Sequence, residues 1–339
     1  MPYKFDVNMF FPRRILDAIT ETRVSRPEAV VASAARRKRR AQPARDGKLN
    51  MLACDHPARG VIGSLNDPVA MGNRQDYMGR AVRSLLCEDF DGVMAQTDMI
   101  EDLLILDHLL QEAGGPSLLD DRVVAGCMNR GGIVNVTGEI HDRFTSFTAD
   151  SIATLGLDGG KMLIRTVDDD ERTLVTLGEC SKVINALNRH NLMVFVEPLP
   201  MKRQGDSYSA NYTAAELIKW VGICAGLGET SRNTWLKIPY TRGFERVSLA
   251  TTLPMLLLGG PAHGDPLPTL SEFAAGMRSG NNVRGTMVGR NVMFPGDEDP
   301  LSMTAAVTAV VRQGLDPEAA LPLMEGLRDT RMDALTRYL

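Results

Sequence analysis

Two lysines lie inside apolar segments of this sequence and could do chemistry. Lys237 is in TWLKIPYT and Lys161 is in GGKMLIR. An unpaired ammonium group is costly to bury, so each lysine must be paired, neutralised or used chemically. Desolvation and a neighbouring cation lower the pKa of an amine and make it nucleophilic. The apolar neighbours of Lys237 therefore favour a chemical use for that residue.

A nucleophilic lysine can condense with a ketone to form a Schiff base, whose positive nitrogen withdraws electrons from the adjacent carbon–carbon bond. Cleavage also needs a group that carries the proton of the substrate hydroxyl, and Glu197 or Asp55 can serve. We expect Lys237 as the nucleophile and Lys161 as a polar neighbour. Each lysine has a structural alternative as an ion-pair partner of these acids, and this alternative is stronger for Lys161.

Eight short apolar segments alternate with amphipathic stretches along the 339 residues. This alternation is typical of β-α units around a parallel sheet. Eight strands favour a closed (β/α)8 TIM barrel over an open sheet, and no GxGxxG follows the first strand. The predicted strands are residues 49–54, 92–97, 122–128, 160–165, 192–197, 235–240, 254–259 and 284–289.

The barrel explains how the candidate residues would meet, because its active site lies at the C-terminal ends of the strands. Successive side chains of a strand point to opposite faces. Lys161, Glu197 and Lys237 can then all point inward from three successive strands. Asp55 follows the first strand and can join them. The sequence therefore predicts one pocket that contains two lysines and two acids.

A phosphate site is predicted after the seventh and eighth strands, where the sequence reads LLLGGPAHGD and VGRNVMF. In TIM barrels these loops often bind phosphate through backbone N–H groups. Gly259, Gly260 and Gly289 would let the backbone approach the phosphate, and Arg290 would add charge. Each glycine alone is more often just a turn residue, but their combination favours phosphate.

Additional helices are predicted outside the barrel, at residues 13–23, 27–41, 301–313 and 317–327. We therefore divide the chain into an N-terminal helical extension, 1–44, and the (β/α)8 barrel with its C-terminal helices, 45–339. The extra helices should cover the bottom of the barrel or an oligomer contact, and a homo-oligomer is expected. The basic run at 36–40 is interpreted mainly as a solvated helix end, with a phosphate or subunit contact as the alternative.

The composition restricts the class of protein. A net charge of −4 and the absence of an 18-residue apolar run argue against nucleic-acid or membrane partners. The N-terminus lacks the pattern of a secretion signal, so we expect a cytoplasmic protein. The 5 cysteines contain no CxxC pair and are interpreted as buried, reduced thiols. No metal or other cofactor is expected.

The motifs in the segment 49–294 resemble class I aldolases. MLACDHPARG, GGKMLIR, MVFVEPLP, TWLKIPYT and GTMVGRN occur in family order. The chain is similar to the archaeal fructose-bisphosphate aldolases, to the class I tagatose-bisphosphate aldolases, and most of all to an aldolase-like family encoded among actinobacterial inositol-catabolic genes. The resemblance implies Lys237 as the Schiff-base lysine, Glu197 as the proton shuttle, and Asp55 and Lys161 as polar partners. It also places Gly259, Gly260, Gly289 and Arg290 around phosphate.

Two features depart from the archaeal enzymes. Glu197 stands where they use a tyrosine as proton donor, and the loop MNRGGIVNVTGEIHDRF is long and unlike the corresponding loop in those enzymes. The resemblance implies a phosphorylated ketose or keto acid as substrate, and specifically cleavage of 2-deoxy-5-keto-gluconate 6-phosphate to dihydroxyacetone phosphate and malonate semialdehyde. Bidentate arginines suit the carboxylate of that substrate. The candidates at strand ends are Arg59, Arg130, Arg165 and Arg203.

Two alternatives remain at this stage. The first is a metal-dependent aldolase or hydrolase on the same barrel, although no HxH or HExxH spacing supports it. Its candidate ligands are His56, His141, His263, Asp55, Glu139 and Asp265. The second is a barrel that binds sugar phosphates without catalysis, because a fold does not fix an activity.

Overall fold

The computed structural model describes residues 3–133, 140, 142–205 and 207–339, and its centre is a closed parallel barrel. Parallel ladders run from the first strand round to the last, which pairs again with the first. The predicted (β/α)8 barrel is confirmed. The strands are β1 Leu49–Cys54, β2 Gly92–Ala95, β3 Val123–Cys127, β4 Gly159–Thr166, β5 Met193–Gln204, β6 Ser207–Ala210, β7 Thr234–Pro239, β8 Met255–Leu258 and β9 Val283–Val288.

The strand β6 was not predicted. It pairs antiparallel with the last four residues of β5, outside the barrel ladder. Because β5 continues well past the barrel edge, these two strands form a hairpin at the C-terminal end of the barrel. The predicted fifth strand, 192–197, ends before the barrel ladder does, because β5 pairs with β4 as far as Pro200.

Helices alternate with the strands and cover the outside of the barrel. They are α1 Val7–Phe10, α2 Arg13–Ser25, α3 Ala29–Arg36, α4 Arg74–Leu85, α5 Thr97–Glu112, α6 Ala149–Thr154, α7 Arg172–Arg189, α8 Ala214–Ala225, α9 Phe244–Ser248, α10 Pro266–Arg278, α11 Arg290–Met293, α12 Pro300–Thr308 and α13 Pro317–Leu327. Helix α4 begins at Arg74, because the side chain of Asn73 caps its first turn. In the described chain, no helix is long and apolar enough to cross a membrane.

Two apolar clusters fill the molecule. The smaller one is the barrel interior and contains Met51, Ala53, Phe195 and Met287. The larger one lies between the barrel and its helices and includes Phe10 from the N-terminal segment. All five cysteines are free and buried, which fits the interpretation of reduced thiols.

The interpretation of the basic run at 36–40 as a solvated helix end holds only in part, because Arg36, Lys38 and Arg39 are exposed whereas Arg37 and Arg40 are not. Helix α3 ends at Arg36, and the side chain of Arg37 is buried against Asp158, with 2.9 Å between Nη1 and Oδ2. Arg40 pairs with buried Asp91 at 2.6 Å. Asp91 and Asp158 directly precede β2 and β4. The run therefore fixes the N-terminal segment to the bottom of the barrel.

Candidate active site

Two lysines and two acids form one buried cluster at the C-terminal ends of the barrel strands. Lys161 Nζ lies 2.8 Å from Asp55 Oδ2 and 2.6 Å from Glu197 Oε2. Lys237 Nζ lies 2.9 Å from the other oxygen of Glu197. All four residues are at most 5% exposed. The structure thus brings together the residues that the sequence predicted would meet, with Glu197 between the lysines.

Strand register explains this arrangement. In the parallel ladders Lys161 pairs with Phe195, and Phe195 pairs with Trp235. Glu197 and Lys237 each lie two residues further along their strands, so the side-chain alternation directs them to the same interior. Apolar side chains below them fill the barrel. The charged cluster therefore lies directly above the buried apolar interior of the barrel.

The two lysines differ in their electrostatic setting. Burial lowers the pKa of Lys161, but Asp55 and Glu197 together outweigh burial and raise it. Burial also lowers the pKa of Lys237, and Glu197 opposes this only in part while Lys161 adds to it, so the pKa stays below its usual value. Lys161 is therefore held as a cation, and Lys237 is the lysine that loses its proton more readily.

Both acids are held as carboxylates. Burial alone would raise the pKa of Glu197, but Lys161 and Lys237 bring it below its usual value. The pKa of Asp55 falls well below its usual value, because the attraction of Lys161 and then of Arg59 outweighs its burial. Glu197 can therefore accept a proton from the ammonium group of Lys237 or from a hydroxyl group next to it.

A cavity of about 260 Å³ opens above Lys237 and Glu197. It is lined by most of the residues predicted for substrate binding, namely Arg59, Arg165, Gly259, Gly260, Gly289 and Arg290. Arg130 is not among them and lines a neighbouring cavity beside Asn129. Arg203 turns outward and pairs with Asp170 at 3.2 Å. The structure therefore favours Arg59 and Arg165 as anion-binding residues over Arg130 and Arg203.

Two glycines of the expected phosphate loops, Gly259 and Gly289, pack so closely against neighbouring residues that no side chain would fit. A Cβ atom at Gly289 would lie 2.4 Å from His56 Cε1, and one at Gly259 would lie 2.6 Å from Asn291 Oδ1. Gly260 adopts a φ of +68°, which other residues rarely adopt. These glycines and Arg290 line the same cavity, and backbone N–H groups and arginine are groups that bind phosphate.

Sequence reasoning missed Tyr212, which lines the same cavity. Burial, followed by the charge of Glu197, raises the pKa of Tyr212 to about 12. It follows β6, a strand absent from the predicted eight, so Tyr212 does not lie at the end of any predicted strand. A hairpin turn read from QGDSYSANY would have provided the signal.

The residues considered for a metal ion do not form a set of ligands. Within the described ranges, no three His, Cys, Asp or Glu side chains are grouped to hold a metal. His56 borders the cavity, and burial followed by the charge of Arg59 lowers its pKa well below the usual value. His141 and Glu139 lie outside the described residues. The described ligands alone do not support the metal-dependent alternative.

The closed barrel and its buried lysine–carboxylate cluster define an aldolase-like (β/α)8 barrel. Residues 47–311 match the Cgl0159-like family, and the chain belongs to that family. The crystal structure of Cgl0159 from Corynebacterium glutamicum is 31% identical and covers 89% of this chain and 98% of its own, with a TM-score of 0.82.

More distant relatives share the fold. A Schiff-base-forming fructose-1,6-bisphosphate aldolase is 19% identical, with 83% of this chain and 99% of that chain covered and a TM-score of 0.59. The fructose-bisphosphate aldolase from Slackia heliotrinireducens is 15% identical, with coverage of 96% and 97% and a TM-score of 0.57. At these identities the likeness concerns the barrel alone, and at that level the resemblance to class I aldolases is confirmed.

One curated relative matches over a short segment. The 2-amino-3,7-dideoxy-D-threo-hept-6-ulosonate synthase of Halobacterium salinarum is 41% identical over 81 residues, which are 24% of this chain and 29% of that protein. The chain thus matches less than a third of the length of this curated relative.

Proposed function

We propose that this protein is a class I aldolase that cleaves a phosphorylated keto sugar or keto sugar acid through a Schiff base on Lys237. The observation that carries the proposal is the unequal pair of lysines around Glu197. Lys161 is paired with two carboxylates, whereas Lys237 has one and faces the cavity. Burial lowers the pKa of Lys237, as a nucleophilic amine requires.

The cluster can perform each proton transfer of the reaction. Glu197 takes a proton from the ammonium group of Lys237, and neutral Lys237 attacks the substrate ketone. Glu197 returns that proton to the hydroxyl group of the resulting carbinolamine, which leaves as water and gives a protonated imine. Glu197 takes the proton of the hydroxyl group on the carbon beyond the bond to be cleaved. That bond then breaks, an aldehyde leaves, and the electron pair moves to the imine as an enamine. Protonation and hydrolysis of the enamine release the ketone product and free Lys237.

The charges around the cavity support a substrate with two anionic ends. Gly259, Gly260, Gly289 and Arg290 suit a phosphate, and Arg59 and Arg165 supply further positive charge at the same cavity. 2-Deoxy-5-keto-gluconate 6-phosphate carries a phosphate at one end and a carboxylate at the other. Its cleavage would give dihydroxyacetone phosphate and malonate semialdehyde. We propose it as the substrate within this class.

Borohydride trapping tests the function. The protein is incubated with dihydroxyacetone phosphate, reduced with borohydride and mapped by mass spectrometry. We expect a reduced adduct at Lys237, and we expect Lys237→Ala to lower turnover about a thousandfold or more. Lys182→Ala is the matched control, because Lys182 lies on the surface with a 74% exposed side chain.

The rival functions give different results. Inactivation by EDTA without trapping would support a metal-dependent enzyme. Binding of sugar phosphates with neither trapping nor cleavage would support a non-catalytic barrel. Full turnover in Lys237→Ala would exclude the Schiff-base mechanism.

A further inference from the structure

The hairpin of β5 and β6 forms one wall of the cavity. Met201 on β5 pairs with Ala210 on β6, and both residues line the cavity together with Leu199 and Tyr212. Three of these side chains are apolar or small, so Tyr212 is the polar group that this wall presents. The hairpin therefore adds a specific hydrogen-bonding group to a site whose other polar residues come from the barrel strands and their loops.

The order of the strands around the barrel determines on which side of Lys237 the hairpin lies. Lys237 lies on β7, between β5 and β8. The glycine loops expected to bind phosphate follow β8 and β9, on one side of Lys237. Arg165, on β4, and Tyr212, after β6, lie on the other side. A ketone held on Lys237 with its phosphate toward β8 and β9 would direct its scissile bond toward Arg165 and Tyr212.

Tyr212 has the properties of a hydrogen-bond donor at this place. Burial, and then the charge of Glu197, raises its pKa to about 12, while Arg165 acts in the opposite direction. The phenol therefore keeps its proton over the working pH range of an enzyme. A phenol on the wall of the cavity can donate a hydrogen bond to an incoming anion.

We propose that Tyr212 is a specificity-determining residue whose phenol donates a hydrogen bond to the anionic end of the aldehyde half of the substrate, beside Arg165. This inference rests on the proposed aldolase function. It divides the site into a ketone half, held by Lys237 and the glycine loops, and an aldehyde half, recognised by β4 and the hairpin. The expected aldehyde product is therefore an anionic one, such as a short aldehyde with a terminal carboxylate.

The test is Tyr212→Phe, which removes the hydroxyl group and keeps the ring. Condensation of dihydroxyacetone phosphate is measured with malonate semialdehyde and with propanal, its neutral counterpart. We expect the KM for malonate semialdehyde to rise about tenfold, as for loss of a hydrogen bond to a charged group. The KM for dihydroxyacetone phosphate and its trapping on Lys237 should change less than about twofold, and propanal should react as in the wild type.

Tyr208→Phe is the matched control in the same hairpin. The hydroxyl of Tyr208 lies 3.1 Å from Arg172 and 3.4 Å from Asp170 and does not line the cavity. Tyr208→Phe should leave the KM for malonate semialdehyde and the KM for dihydroxyacetone phosphate unchanged. The melting temperatures of Tyr208→Phe and Tyr212→Phe should agree within a few degrees.

Several results would overturn the inference while leaving the aldolase function intact. In Tyr212→Phe these results are an unchanged KM for malonate semialdehyde, or a KM for propanal or for dihydroxyacetone phosphate that rises as much as the KM for malonate semialdehyde. In the wild type the result is trapping on Lys237 without a preference for the anionic aldehyde over propanal. Absence of trapping in the wild type would instead reject the proposed function itself, and the inference with it.

Discussion

At the scale of single residues, the central feature is that one carboxylate serves two lysines. Glu197 contacts Lys161 through one oxygen and Lys237 through the other. Lys161 is bound by a second acid, Asp55, and this additional partner keeps it charged. Its charge in turn contributes to the lowered pKa of Lys237. The structural alternative considered for Lys161, an ion-pair partner, thus describes how it would assist Lys237.

This arrangement predicts the pH dependence of Lys237. Burial lowers the pKa of Lys237, so Lys237 should reach half of its full reactivity, its reactivity midpoint, at a lower pH than an ordinary lysine. Glu197→Gln removes the carboxylate that raises this pKa, whereas burial and Lys161 remain. We therefore expect the reactivity midpoint of Lys237 to shift to lower pH in Glu197→Gln. Methylation with formaldehyde and cyanoborohydride, followed at each lysine by mass spectrometry, measures it.

The same variant separates reactivity from catalysis. Without its proton carrier, Glu197→Gln should lose kcat by about a hundredfold or more and change KM much less. Methylation of surface Lys182 should be identical in wild type and variant at each pH, which controls for the reagent. An upward shift of the Lys237 midpoint would contradict the electrostatic account, and an unchanged kcat would contradict the role of Glu197.

The residues of the charged cluster could be predicted from the sequence because strand periodicity alone determines which side chains share the barrel interior. Their ion pairs could not be predicted, since these depend on the register between strands. The choice among the arginines also needed the structure. Arg130, Arg165 and Arg203 all lie at or after strand ends, yet only Arg165 of these three lines the cavity above Lys237.

At the scale of elements, the segment after α3 forms ion pairs that could not be predicted from the sequence alone. A run of cations at a predicted helix end is compatible with exposure to solvent, because its acidic partners are distant along the chain. Asp91 and Asp158 become partners only when the strands that follow them enter the barrel. The hairpin strand β6 was not predicted for a different reason: its residues do not alternate between apolar and polar as in a half-buried strand.

The segment after α3 predicts a pair of neighbouring variants with unequal effects. Arg37 is 1% exposed in its side chain and pairs with Asp158, so Arg37→Ala removes the buried partner of this carboxylate and leaves it only the half-exposed Arg39 as a cationic partner. We expect a loss of about 3 kcal/mol in the free energy of unfolding. Lys38 has a 79% exposed side chain and lies 3.6 Å from Asp120, so Lys38→Ala should cost less than about 1 kcal/mol. Urea unfolding measures both.

Enzyme activity is the second measurement for the variants Arg37→Ala and Lys38→Ala. The segment lies at the bottom of the barrel, and the lysine cluster lies at the top, so neither variant should change kcat or KM more than about twofold while the protein is folded. Equal costs for Arg37→Ala and Lys38→Ala would show that the buried ion pair does not hold the segment in place.

At the scale of the whole molecule, the N-terminal segment belongs to the larger apolar cluster, which lies between the barrel and its helices. Phe5, Phe10, Phe11, Ile15 and Ile19 are at most 3% exposed and belong to the same cluster as the helices around the barrel. The ring of Phe10 also lies 5.2 Å from the guanidinium group of Arg83, which is fully buried in its pair with Asp299. The boundary predicted between residues 44 and 45 therefore crosses continuous packing, and whether it separates two folding units stays a prediction.

Removal of residues 1–44 tests that division. Each of the five apolar side chains contributes about 1.5–3 kcal/mol on burial, and together they approach the roughly 5–15 kcal/mol stability of a typical domain. We therefore expect the fragment 45–339 to show no cooperative thermal unfolding by circular dichroism. Phe10→Ala should cost about 3–5 kcal/mol in the full chain, whereas its neighbour Met9, 67% exposed, should tolerate Met9→Ala. A fragment that melts cooperatively at the temperature of the full chain would show that the barrel folds without the segment, and the apolar contacts of Phe10 would then serve only to attach the segment.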